Sequence, residues 1–178
     1  MPARKEKSGF TLIELMVVIA IMAVLAVVGF ASYSIALGKA RDAKRRADLH
    51  DIRNALESYY VRNNAYPSTG GVGWYSSEPG DLVSNNSGNW IPGLAPNFIK
   101  TLPRDPKGGL GNPATITICG SSSWRQAYLY RSDDGRSYAL LAHCSMEAEN
   151  WGSNDPLIDS VRPTWALKVC DGPPGCSY

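Results

Sequence analysis

The stretch Lys5–Phe30, KEKSGFTLIELMVVIAIMAVLAVVGF, decides how the chain is organised. A short basic leader ends at Gly9, and an apolar run opens at Phe10 that carries a single charge, Glu14. At about 1.5 Å per residue in a helix, Phe10 to Phe30 spans roughly 31 Å, the thickness of a bilayer's hydrocarbon core. The spacing therefore predicts a transmembrane helix, with the basic leader held in the cytoplasm and the rest of the chain beyond the membrane. A secretory signal also joins a basic region to an apolar one. Here, however, no small-residue cleavage site with a break in structure follows the run; the helical pattern continues, and an acid sits near its start. A carboxylate in such a segment costs about 2.5–3.5 kcal/mol when central and less near the interface, so Glu14 reads as functional.

Composition limits what lies downstream. The 178 residues are 44% hydrophobic, enough for one ordinary domain, but much of that content sits in the first helix, so the folded part must be small. The net charge of +2 rests on the leader, where Arg4, Lys5 and Lys7 outweigh Glu6; without residues 1–9 the chain holds 15 basic and 15 acidic residues. A neutral protein has no general pull on phosphate backbones, and no nucleic-acid partner is expected. Four cysteines, Cys119, Cys144, Cys170 and Cys176, lie in the C-terminal part. Zinc is the competing use, but there is no C-x-x-C pair and the histidines are His50 and His143, so a disulfide framework in an oxidising compartment is expected. Of the three connectivities, Cys119 with Cys144 and Cys170 with Cys176 is favoured.

Beyond the apolar run, Leu49, Ile52, Leu56, Tyr59 and Tyr60 continue a helical spacing, and no proline interrupts Phe10 to Arg62. Gly29 and Gly38 read equally as sites of bending and as tolerated glycines in a tightly packed helix. Arg41, Lys44, Arg45 and Arg46, interleaved with Asp42, Asp48 and Asp51, are expected to form a solvated helix face or subunit contacts. Asn63-Asn64 and then Tyr66-Pro67 end the helix. Thr69 to Lys100 is rich in Gly, Ser, Asn and Pro but holds Trp74, Trp90, Ile91, Leu94 and Phe98, too many apolar groups for a free linker. Leu102-Pro103-Arg104-Asp105-Pro106-Lys107-Gly108 is a rigid turn. Thr115 to Cys119 reads as a strand, and Ala127 to Arg131 with Tyr138 to His143 as a hairpin around Asp133-Asp134-Gly135. A two-residue turn at Asp134-Gly135 places Leu129 opposite Leu140 and Tyr130 opposite Ala139. One face of this pair, carrying Leu129 and Leu140 or else Tyr128 and Leu141, is expected against Leu49, Ile52, Leu56 and Tyr59. Trp165 to Val169 reads as a last strand.

The basic leader, Gly9 and the GFTLIEL motif before an apolar run closely resemble the class III signal of type IV pilins and of the pseudopilins of type II secretion. In that family a prepilin peptidase cuts between the positions of Gly9 and Phe10 and methylates the new amine, and the carboxylate at Glu14 meets the N-terminal amine of a neighbouring subunit. Tyr66-Pro67, Trp90 with Pro92-Gly93, LPRDPKGG and Tyr128-Leu129-Tyr130 are similar in order to landmarks of the major, G-type pseudopilin. The aromatic usual after the second proline is Lys107 here. G-type pseudopilins characteristically bind calcium in a C-terminal loop, which makes Asn154, Asp155 and Asp159 a candidate calcium site; otherwise no cofactor is expected.

No enzyme is expected. His143 and Cys144 are neighbours whose side chains diverge on a strand, and Asp133-Asp134-Gly135 is first a turn. The resemblance implies an α+β pilin-like fold: a leader at 1–9, a transmembrane and assembly helix at 10–32, its amphipathic continuation at 33–64, and a loop-rich head at 65–178 with a small antiparallel sheet. It implies a single-pass inner-membrane protein with a periplasmic head, a subunit of the type II secretion pseudopilus. Its partners are copies of itself, related pilins, the prepilin peptidase and the inner-membrane assembly platform. The alternatives are a type IV pilus subunit for adhesion, motility or DNA uptake, and a membrane-anchored binding protein that never polymerises.

Overall fold

A computed structural model describes residues 10–78, 89–108, 126–145, 147, 155–163 and 166–178. One helix, α1, runs unbroken from Leu12 to Asn63, through both Gly29 and Gly38. It stops where expected: Asn64 takes a left-handed conformation, φ 54°, and its N–H donates to the Tyr60 carbonyl at 2.7 Å. The chain divides into two compact units, Met1–Gly38 and Lys39–Tyr178. In the first, the described residues bear an apolar surface that the chain itself leaves open; Val27 is 70% and Phe30 76% exposed.

The second unit is α+β. Four strands, β1 (Tyr75–Ser76), β2 (Ala127–Arg131), β3 (Tyr138–His143) and β4 (Leu167–Asp171), form one antiparallel sheet in the order β1-β2-β3-β4. Leu49, Ile52, Ala55 and Leu56 of α1 recur at helical spacing and pack on Tyr128, Tyr130, Leu140, Ala142, Leu167 and Val169. Each fully buried leucine or isoleucine among them contributes roughly 1.5–3 kcal/mol. Trp90, Ile91 and Leu94 join this core from the segment that was too apolar for a linker, and the Trp90 indole N–H donates to the Pro103 carbonyl at 3.3 Å. On the opposite sheet face Ala127, Leu129 and Leu141 pack with Trp74.

The hairpin register differs from the expected one by one residue. Leu129 pairs with Leu141 and Tyr130 with Leu140, so the core face joins the tyrosines of β2 to Leu140, and Leu129 faces away. The reason lies outside the hairpin. Residues 132–137 make a six-residue connection in place of a two-residue turn, and the segment after α1 supplies its hydrogen bonds. Tyr66 N–H donates to the Gly135 carbonyl at 2.7 Å, and Thr69 N–H to the Ser132 carbonyl at 2.6 Å. Ser132 Oγ closes the connection on the Ser137 carbonyl at 2.8 Å. Gly135 sits at φ +76°, where an added Cβ would lie 3.0 Å from the Tyr66 carbonyl oxygen. Gly135→Ala is accordingly expected to lower stability by about 1–2 kcal/mol in a denaturant titration; an unchanged midpoint would contradict this account of the turn.

The last strand begins at Leu167, two residues later than expected, and Trp165 lies outside the described residues, as does the strand expected at Thr115 to Cys119. β1, Tyr75–Ser76, is two residues long, too short for a strand periodicity to show in the sequence.

Candidate functional site

Gly9 lies outside the described residues. Phe10 precedes the helix and is 83% exposed. Thr11 and Glu14 form a reciprocal cap at the start of α1. Glu14 Oε2 accepts the Thr11 N–H at 2.9 Å and the Thr11 hydroxyl at 2.8 Å, while Glu14 N–H donates to Thr11 Oγ1 at 3.3 Å. This is a capping box, which satisfies donors that the first turn would otherwise leave open and aims the carboxylate at the N-terminal end. Behind it, α1 is long and apolar enough to cross a membrane, and its apolar part is not buried within the chain. Exposed apolar surface on this scale needs a covering medium, either lipid or other helices.

In the second unit the charge cluster is a solvated face only in part: Lys44 and Asp51 are exposed, but Asp42, Arg45 and Asp48 are buried. Arg45 is fully buried and sits at the centre of an ion-pair network. Its guanidinium grips Asp105 with two parallel hydrogen bonds, Nε to Oδ2 at 2.7 Å and Nη2 to Oδ1 at 2.9 Å. Nη1 donates to Asp42 Oδ1 at 2.7 Å and to Glu147 Oε1 at 2.8 Å. Arg41 Nε and Lys107 Nζ also meet Glu147, at 2.7 and 2.8 Å. Arg41, Arg45 and Lys107 thus balance Asp42, Asp105 and Glu147. Asp105 further accepts the Lys107 N–H at 2.9 Å, so the rigid proline turn presents its carboxylate to the helix. Beside the network, Tyr128 donates to Asp48 Oδ2 at 2.8 Å across the core. Periodicity along α1 could not reveal this arrangement, because the two partners that bury Arg45 come from about 60 and 102 residues further along the chain. The one available signal was an acid locked between two prolines.

Burial pushes the Glu147 carboxyl up, but hydrogen bonds from Arg41, Lys107 and Arg45 overcome this and hold it at about 2, below its ordinary 4.5. Asp159 is pushed up by burial too, and Arg162, the Val161 N–H and Lys168 together bring it below its ordinary value. Depressed carboxyls stabilise the fold fully above their unfolded values and lose that contribution as pH falls through their folded ones. Acidification from about pH 4.5 to 2 should therefore remove on the order of 2 kcal/mol through Glu147, read as a falling urea midpoint. A midpoint that does not move over that range would contradict the network's ionised state.

The remaining candidate residues fall into three groups. Cys170 and Cys176 form a disulfide. Cys144 is not a free thiol, and the pairing expected with Cys119 lies outside the described residues. His143 and Cys144 do not diverge as they would along a strand: Cys144 leaves β3 at φ 56°, placing its sulfur 3.2 Å from His143 Nδ1. Because that sulfur is not a free thiol, the contact supplies no nucleophile. Asp155 pairs with Arg46 and Asp159 with Arg162 and Lys168, while Asn154 lies outside the described residues. Among the described residues, no group of three or more His, Cys, Asp or Glu is placed to hold a metal ion.

Residues 4–30 match the family model described as the prokaryotic N-terminal methylation motif. The chain is 35% identical over 119 residues to the type II secretion system core protein G of Aeromonas hydrophila, covering 62% of this chain and 72% of that protein. To the protein of the same name from Pseudomonas aeruginosa it is 35% identical over 132 residues, covering 73% and 87%. It is also 42% identical over 64 residues to the type IV wide pilus major component PilA4 of Thermus thermophilus, covering 36% and 49%. No solved structure gives a match.

The chain belongs to the type IV pilin and type II secretion pseudopilin family.

Proposed function

We propose that the chain is a structural subunit of a type II secretion pseudopilus. The observation that carries this reading is the reach of the likeness. Identity to core protein G proteins covers up to 73% of the chain, so it extends well past the N-terminal signal into the second unit. The type IV pilus reading is favoured by the PilA4 match and by the disulfide-closed loop at Cys170–Cys176.

On the proposed mechanism, the basic leader holds the precursor in the inner membrane with residues 33–178 in the periplasm. Prepilin peptidase removes residues 1–9 and methylates Phe10. The apolar segment 10–32, which includes the first part of α1, serves first as anchor and then as part of a helical filament core formed by copies of the chain and related pilins at the assembly platform. Exchanging lipid for neighbouring helices is nearly neutral in hydrophobic terms, so packing and polar pairing must supply specificity. Glu14 provides the polar pairing, meeting the amine that cleavage creates on an adjacent subunit. The role is structural, without chemistry at a catalytic centre.

Deleting the gene and scoring secreted enzymes, surface fibres and DNA uptake separates the readings. Loss of secretion with fibres and uptake intact is expected. Loss of fibres or uptake with secretion intact would replace the secretion reading with the pilus one. If all three are unchanged, an anchored binding protein that never polymerises takes its place.

A further inference from the structure

The resemblance to G-type pseudopilins implies a calcium ion in the C-terminal loop, and the donors described there do not fit one. Calcium takes about six to eight oxygen ligands that must be free to turn toward it. Asp159 is fully buried, and both its oxygens are engaged. Oδ1 accepts the Val161 N–H at 3.1 Å and faces Lys168 Nζ at 3.1 Å, while Oδ2 accepts Arg162 Nη1 at 2.7 Å. Asp155 is engaged in the same way: Oδ1 accepts the Leu157 N–H at 3.0 Å and Oδ2 pairs with Arg46. One carboxylate already faced by an ammonium and a guanidinium would present a dication with a net positive site.

Lys168 has a further bond that a bystander would lack. It lies opposite Leu141 in the register, on the sheet face away from α1, with its side chain 6% exposed. From there its ammonium donates to the Cys176 carbonyl at 2.9 Å as well as facing Asp159. It therefore ties together three segments: the turn that follows Asp159, strand β4, and the loop closed by Cys170–Cys176. Arg162 adds a second tie, reaching the Tyr178 carbonyl at 3.4 Å. These are the links that a divalent ion makes when it gathers carboxylate and carbonyl oxygens from separate loops.

We propose that Lys168 is an internal structural cation that replaces a bound metal, so that the C-terminal part of this chain is ordered without calcium. The ammonium is covalently held, so it carries no dependence on free ion concentration. This inference concerns the fold of the second unit and is independent of which filament the chain builds.

The test uses the full chain in detergent micelles. Thermal unfolding is followed after chelation with EGTA and again with calcium raised above the roughly 10⁻⁴–10⁻³ M at which extracellular calcium modules bind. The two midpoints are expected to agree within about 1 °C, and calorimetric titration with calcium to give no saturable heat. Lys168→Met is expected to lower the midpoint by roughly 5 °C or more, equally with and without calcium. If that variant does not fold, Arg162→Gln, at the more exposed of the two cations, gives the smaller drop. A midpoint that falls on chelation, saturable calcium binding by the unaltered chain, or Lys168→Met unfolding at the original temperature would each overturn the proposal.

Discussion

Replacing Arg45 with methionine is expected to destabilise the second unit by about 3–5 kcal/mol, a large part of the stability of a small domain. The methionine fills much of the space but leaves Asp105, whose side chain is fully buried, without the two guanidinium bonds that hold it. Asp42 and Glu147 lose a partner at the same point. Stranding buried carboxylates costs far more than the pairing gains, which is why removal of one partner is so much worse than its absence from the start. Lys44→Met is the control. Its ion pair with Asp48 is made by a side chain 58% exposed, and its loss should cost less than about 1 kcal/mol. Denaturant titration of both variants measures the contrast. If Arg45→Met unfolds with the Lys44→Met midpoint, the network does not hold the loops to the helix.

The second large effect concerns Glu14. Glu14→Ala is expected to insert in the membrane normally, since the change makes the segment more apolar, yet to lower filament yield by well over about tenfold. The capping box adds a control that the alanine variant lacks. Glu14→Gln keeps an acceptor for the Thr11 N–H and hydroxyl but removes the charge. On the proposed mechanism it fails to assemble as the alanine variant does, because a neutral amide leaves a neighbour's amine unpaired in an apolar core. Normal assembly of Glu14→Gln would mean that the cap, and not the charge, is what the filament needs. Normal assembly of Glu14→Ala would remove Glu14 from the mechanism.

These two sites differ in how far they could be read from the chain alone. Glu14 stands out in the chain because an acid in an apolar run is costly wherever the chain folds, and the helix end at Asn63-Asn64 was legible because capping is local. The strands β2 and β3 showed themselves by composition. Their register did not, since it depends on Tyr66 and Thr69 donating into residues 132–137, a contact between segments more than 60 residues apart. Arg45 was misread for the same reason. Opposite charges at helical spacing describe a solvated face unless distant loops cover them, and here Asp105 and Glu147 do so. Asp155 and Asp159 read as candidate calcium ligands from residue type alone, whereas their pairing with Arg46, Arg162 and Lys168 depends on how the segments fold together.

If the chain is a processed filament subunit, mass spectrometry of the protein purified from its own cells will find a mature N-terminus at Phe10 bearing one methyl group on its amine. An intact Met1, or a peptide that still spans Gly9 and Phe10, would contradict it.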